Sequence, residues 1–221
     1  MKDFNERLIT DQLSLKEWDN LLEQGWDRVG TGFFRRRFDY YTNGLETFQT
    51  ELMPLRYRLA GFQFSKSQRI VQRRNADLRR IYRPTLIDDE KYELFNDYYF
   101  ARFGAINTIH TWVSGNETPF PTYEVSVYKL DKLIACSFFD PTPRANYSTL
   151  GIHDPNEKRR SLGIFTMISE IEFGLRQRKK FHYPGHAYHS ATMYAYKKRF
   201  PNAECFDWDT EEWKNLLMVN G

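Results

Sequence analysis

Three stretches of the chain concentrate side chains able to do chemistry. In "SKSQRIVQRRNADL", residues 65–78, Lys66, Arg69 and Arg73 recur three and four apart, so a helix presents them on one side. Arg74, Arg79, Arg80 and Arg83 extend the positive zone, with Asp77 the acid among them. Such a stripe either solvates a helix face or neutralises phosphates, and Arg grips a phosphate bidentately where Lys does not. In "EKRRSLGIF", residues 157–165, basic side chains and Gly163 meet at a strand-to-helix junction, where free N–H groups favour an anion. In "YPGHAYHSATMYAYKKRF", residues 183–200, Tyr, His, Lys and Arg follow a strand broken at Pro184-Gly185. A broken strand opens a cleft in which His186 and His189 can titrate, although aromatics at this density also build core. Zinc-ligand spacings, a Walker loop, a nucleophile elbow and a dinucleotide fingerprint are absent from the sequence.

The elements that must position these residues are legible from their end signals. "SLKE" from Ser14 and "SKSQ" from Ser65 fit capping boxes, opening one helix that ends at Gly25 and another that runs to about Asn75. Tyr92, Phe95, Tyr99 and Phe103 predict a helix over 88–103. Leu162, Phe165, Ile168, Ile171 and Leu175 form the buried stripe of another. "TYEVSVYKL", "LIACSFFD" and "ANYSTLGIHD" read as strands, and "KFHYPGHAY" as a broken one before an irregular helix near 193–198. Residues 30–59 read as strands and turns, with Asn43-Gly44 a hairpin turn. The order of elements gives an α+β mixed sheet.

Composition sets the bounds. The 221 residues carry 32 Lys+Arg against 29 Asp+Glu, a net charge of +3, so only local clustering can signal a nucleic acid. Two cysteines exclude a disulfide framework and a four-Cys zinc site. With no long uncharged apolar run and no apolar segment at the N-terminus, a cytoplasmic protein without a membrane span is expected.

The stretches "FSKSQRIVQRRNADL", "RRSLG" and "MYAYKKRF" resemble the C-terminal region of the aminoacyl-tRNA–protein transferases, the arginyl-transferring enzymes and their bacterial leucyl-transferring relatives. "GWDRVGTGFF", "PLRYRL" and "IDDEKYELFNDYYFARF" extend the resemblance in the family's order over most of the chain. It implies a Gcn5-type N-acetyltransferase-like mixed sheet with flanking helices, residues 61–221, and a small N-terminal region, 1–60, packed on it. It also implies transfer of Arg or Leu from aminoacyl-tRNA to the N-terminal amine of an acceptor that begins with an acidic residue, as in N-degron tagging, with no cofactor and a monomeric enzyme. The sequence departs from the family in lacking an N-terminal cysteine cluster, Leu52 standing where a cysteine commonly precedes "PLR", so no metal is expected.

On this resemblance Lys66, Arg69, Arg73 and Arg74 hold the tRNA acceptor arm, and Arg160, Ser161 and Gly163 face its terminal phosphates or adenosine. Tyr183, Gly185, His186 and Tyr194 bind substrate. Tyr196 and Lys197 shape the reacting pocket, Lys197 offering a cation to an acidic acceptor or an oxyanion. Glu170 or Asp154 attracts the α-ammonium of the aminoacyl group. Two alternatives stand beside this reading. One is an acyl-CoA N-acyltransferase, for which "RRSLGIF" lacks repeated glycines; the other is a non-catalytic tRNA or N-degron binding protein.

Overall fold

Ser14 and Ser65 both make the capping boxes their sequences announce. In each, the serine Oγ accepts from the backbone N–H three residues on, and Glu17 or Gln68 accepts from the serine N–H in return. A computed structural model describes residues 4–43, 46–113, 119–189 and 194–216. The elements are β1 (Asn5–Ile9), α1 (Leu15–Glu23), β2 (Asp27–Val29), β3 (Gly32–Arg36), β4 (Phe38–Asn43), β5 (Glu46–Arg58), α2 (Lys66–Arg74) and β6 (Arg79–Pro84). There follow α3 (Asp89–Phe103), β7 (Tyr123–Lys129), β8 (Lys132–Pro141), β9 (Ala145–His153), α4 (Leu162–Arg176), β10 (Phe181–Tyr188), β11 (Ala203–Asp207) and β12 (Glu212–Asn215). A 3-10 turn at Ala195–Arg199 precedes β11. The Asn43-Gly44 turn and the first residue of the 193–198 segment fall outside the described residues.

The large sheet runs β12-β11-β5-β10-β9-β8-β7-β6, with β4 paired to the first half of β5. β5 lies before residue 60 yet is an interior strand, between β11 and β10. A second sheet, β1-β3-β2, is pinned to the large one by α1: Trp18, Leu22 and Phe33 pack with Phe120, Tyr147 and Tyr183. Helix α4 lays Leu162, Phe165, Ile168 and Ile171 into the main core. Each such apolar side chain contributes about 1.5–3 kcal/mol on burial.

Two irregularities shape the cleft. β9 and β10 are parallel, but they pair only through Ala145–Phe181, Asn146–His182 and Tyr147–Tyr183, and then part. Just past this fork β10 slips its register against β5 between His182 and Gly185. The cause is chemical: Pro184 has no N–H for the ladder, and Gly185 sits at φ +80, a conformation that L side chains rarely adopt.

Candidate active site

The bulge carbonyls are gathered by Lys197. Its Nζ donates to Pro184 O at 2.7 Å and to His186 O at 3.2 Å, and lies 4.5 Å from the centre of the Tyr194 ring. Burial draws the Lys197 ammonium down to about 8, and the carboxylates of Asp27 and Glu170 oppose that fall. An ammonium carries three N–H donors, so one remains for a substrate.

On the pocket side of the bulge, His186 Nδ1 meets Asp27 Oδ2 at 2.7 Å. Asp27 comes from β2, and its other oxygen accepts from the Tyr147 hydroxyl and from the Arg28 N–H at 2.8 Å. Burial alone would raise the Asp27 carboxyl. The hydrogen bond and charge of His186, with Arg28 N–H and the Lys197 charge, hold it below its ordinary value. Asp27 and His186 line a small pocket of about 20 Å³ between the two sheets, walled by Leu52, Leu55, Tyr183 and Trp213. Arg36 and Trp26 line it too, and Arg36 Nε and Trp26 Nε1 are buried donors without an acceptor. Tyr183 lies in the wall, its hydroxyl pushed up to about 12 by burial.

Tyr183, Gly185, His186, Tyr194 and Lys197 are thus brought together, as their spacing suggested. Tyr196 adjoins them, its phenol raised by burial and by the neighbouring Tyr98. His189 sits at the far end of β10, its N–H donating to Glu51 O. Glu170 lies sealed in the core, 2% exposed, which removes it from direct contact with a substrate ammonium. Asp154 is engaged elsewhere, accepting from Lys132 Nζ at 2.8 Å and the Asn156 N–H at 2.9 Å in the turn after β9.

The basic residues divide. Lys66, Arg69, Arg73 and Arg74 are exposed on α2, with Arg69 folded back onto Phe64 O. Arg74 reaches the start of α4, donating to Arg159 O at 2.6 Å, and with Lys158, Arg159 and Ser161 lines an open groove. Ser161, at φ +55, makes no side-chain cap. Gly163 lies beside His153, and a Cβ there would make only an ordinary contact, 3.6 Å from that ring, so the fold does not require glycine at this position. His153 in turn packs on Tyr98 at 4.9 Å. Arg160 is committed to protein acceptors, bidentate to Asp77 at 2.9 and 3.0 Å and bonded to Glu157 at 3.2 Å. Arg79, Arg80 and Arg83 belong to the edge strand β6, over the Tyr128 ring or paired with Glu172 and Glu124. They are structural, as the bland alternative for this zone has it.

Sequence reasoning missed Asp27, Trp26, Arg36 and Tyr147. Asp27 was within reach, since it sits inside the quoted "GWDRVGTGFF", but nothing local told that β2 faces β10. Among the described residues no group of His, Cys, Asp and Glu could hold a metal, and no helix is long and apolar enough to cross a membrane.

A mixed sheet forked beside a helix start, with a charged and aromatic cleft at the fork, defines an α+β domain. Residues 90–207, more than half of the chain, match the family model described as "Arginine-tRNA-protein transferase, C terminus". The chain belongs to the aminoacyl-tRNA–protein transferase family, a family of enzymes. It is 28% identical over 158 residues to an aspartate/glutamate leucyltransferase of Gluconacetobacter diazotrophicus, covering 69% of this chain and 61% of that protein, less than two thirds of it. It is 25% identical over 211 residues to one of Shewanella putrefaciens, covering 90% and 85%. Among solved structures, the C-terminal domain of a protein described as a lysylphosphatidylglycerol synthetase from Agrobacterium fabrum matches with a TM-score of 0.51 and 16% identity, covering 62% of this chain and 47% of that one. The fold is an α+β mixed sheet with flanking helices, as expected from the sequence.

Proposed function

We propose that this chain transfers a leucyl group from leucyl-tRNA to the α-amine of a protein or peptide with an acidic first residue, the reaction of N-degron tagging. The observation that carries the proposal is the Asp27–His186 pair facing the pocket beside Lys197 at the β10 bulge. The acceptor's first residue meets the mouth of the pocket, and the charged tRNA end approaches along the groove at the start of α4.

The amine nitrogen attacks the ester carbonyl. His186, oriented through Nδ1 by Asp27, takes a proton from that nitrogen as the tetrahedral intermediate forms. Lys197 gives its third N–H to the oxyanion. Collapse breaks the bond to the ribose oxygen, which leaves with a proton returned by His186, and an amide remains. An aminoacyl ester is already activated, so no covalent nucleophile is required, and positioning carries much of the rate.

The acidic first residue is read by Arg36 and Trp26, whose unpaired donors suit a carboxylate. Leucine is favoured over arginine because neither carboxylate near the fork is open to a guanidinium. Asp27 is held by His186, Tyr147 and Arg28, and Glu170 is buried. The large domain at 61–221, with β5 borrowed from the N-terminal region, is proposed as the transferase body.

The test is a panel of labelled aminoacyl-tRNAs incubated with peptides that differ at residue 1. A new N-terminal amide is expected with leucyl-tRNA and Asp- or Glu-initiated peptides. Asp27→Asn and His186→Ala should each lower kcat by about 10²–10⁴. Full activity in His186→Ala would remove the base assignment, and protection by an acyl-CoA instead of charged tRNA would remove the donor.

A further inference from the structure

The net charge of +3 conceals a segregation of charge across the large sheet. Helices α2 and α4 pack on one face, against Ile134 of β8, whereas α3 packs on the other, against Leu133 and Cys136. On the α3 side the exposed charges include Asp89, Glu90, Glu93 and Asp97. On the opposite side α2, "KSQRIVQRR", carries four cations and no acid. The stretch that closes α4, "LRQRKK", residues 175–180, also carries four cations and no acid. The second group has no task in the scheme above.

Local structure does not account for it. A helix dipole favours cations in the last turn and fades beyond it, which explains Arg176 but not Arg178 or Lys180, which follow the helix. Arg176 leans over the Tyr82 ring at 4.8 Å, and Lys179 donates to the Thr142 carbonyl. Arg178 and Lys180 are exposed, and neither side chain makes an ion pair among the described residues. β5 adds Arg58, which stands opposite Phe181 in register, next to Lys180. Its side chain is 55% exposed and 3.9 Å from Glu204, a carboxylate that Arg56 already holds at 2.6 Å. Like charges gathered without acids repel one another, a cost that a bound polyanion removes.

The same surface leads to the groove. Leu59 packs beside Gly174, and its N–H donates to Lys180 O at 2.9 Å; from there the chain passes through residues 60–64 into α2. The exposed Lys66, Arg69 and Arg73 follow, and then Arg74, which meets Arg159 at the groove. α4 has 15 residues, so about 22 Å separate the groove from the 176–180 turn. An anion that touches both is far longer than a free phosphate. A nucleic-acid stem offers phosphates at regular intervals over such a length. An anionic membrane is extended too, but surfaces that enter one set apolar side chains among their cations, and this turn exposes no large apolar side chain.

We infer that Arg58, Arg176, Arg178 and Lys180 form a second tRNA contact, gripping phosphates of the duplex stem while the groove at the start of α4 holds the single-stranded end. The inference deepens the donor reading given above and rests on it. It gives the enzyme affinity for the whole adaptor, which the aminoacyl end alone does not supply.

The test titrates the full chain by fluorescence anisotropy over a range of salt concentrations. The two probes are a deacylated leucine-accepting tRNA and a single-stranded oligonucleotide with the sequence of its 3′ end. In Arg176→Gln with Arg178→Gln and Lys180→Gln, the slope of log affinity against log salt for the tRNA should flatten by about two to three, each duplex phosphate being worth about 0.9. Binding of the oligonucleotide should be unchanged. Arg7→Gln with Lys16→Gln and Arg102→Gln removes the same charge from exposed sites elsewhere and should keep the tRNA slope. If the first triple variant fails to fold, Arg178→Gln and Lys180→Gln taken singly should each flatten the slope by about one. An unchanged tRNA slope, an equal flattening by both triple variants, or an equal loss on the oligonucleotide overturns the inference. Binding to phosphatidylglycerol vesicles that the first variant loses while keeping its tRNA slope overturns it in favour of a lipid surface. The expected loss of slope in a protein that forms no amide with any peptide sustains the second contact and overturns the transferase reading instead.

Discussion

At the scale of single residues, the pocket is asymmetric: it holds the Asp27–His186 pair on one side and, on the other, Trp26 and an Arg36 that pairs with Asp39 at 3.6 Å while its Nε stays without an acceptor; the proposed reaction gives the first pair an amine and the second an acid. Hydrogen bonds to charged groups are worth about 1.5–3 kcal/mol, so Arg36→Ala should raise KM for Asp- and Glu-initiated peptides roughly 10- to 100-fold. It should leave a poor, neutral-initiated peptide unchanged, and equal losses on both peptides would show that Arg36 only props the pocket. Glu170 makes a separate prediction about stability. Burial raises its carboxyl to about 7, against 4.5 in an unfolded chain. Between those values the folded state holds a proton that the unfolded state has released, so stability falls as pH climbs from 4.5 to 7. The shift corresponds to roughly 3 kcal/mol, the penalty being complete above pH 7. Glu170→Gln should therefore gain on the wild type in urea melts at pH 8 and match it at pH 4.5; a constant difference at both would contradict the burial account.

At the scale of elements, the groove at the start of α4 is built by two segments, α2 bringing Arg74 and the 158–161 turn bringing Lys158, Arg159 and Ser161. A single-stranded RNA end released from counterions gives a slope of about −0.7 per phosphate in log affinity against log salt. Arg74→Ala with Arg159→Ala should flatten that slope by about one to two such steps in a filter-binding titration of charged tRNA. Arg160→Ala should instead lower the melting temperature, because its partners are Asp77 and Glu157. This division separates what the sequence disclosed from what it concealed. Helices announced themselves through local signals: Ser65 and Gln68 cap each other whatever the rest of the chain does. β7 to β10 were legible because buried strands are apolar. β6, "RRIYRP", was not, since its arginines read as an extension of a positive helix face until Glu124, Glu172 and the Tyr128 ring supplied their partners. Asp27 escaped for a related reason: its partner His186 is 159 residues away, and no local rule couples them.

At the scale of the whole molecule, the site exists only while the small sheet stays docked, because Asp27 rides on β2 and His186 on β10. The dock is centred on Arg28, the neighbour of Asp27 in sequence. Its guanidinium is fully buried, bonded to both oxygens of Asp140 at 2.7 and 2.8 Å and to the Gly30 carbonyl, while its backbone N–H reaches Asp27 and the Tyr147 hydroxyl. Arg35 and Arg37 add ion pairs from the same region to Glu211 and Asp209 beside β12. A buried ion pair does two things that mutation can separate. Removing one partner leaves an uncompensated buried charge, so Asp140→Asn should cost about 3–5 kcal/mol and lower kcat together. Replacing both partners with apolar residues of similar volume is often neutral for stability. In Arg28→Met with Asp140→Leu the melting temperature should therefore recover, while the guanidinium that fixes the β2–β3 turn through Gly30 remains absent. If Arg28 acts by setting where Asp27 points, kcat in that double variant stays depressed with the peptide KM little changed; if it acts only as a fastener, activity returns in step with stability.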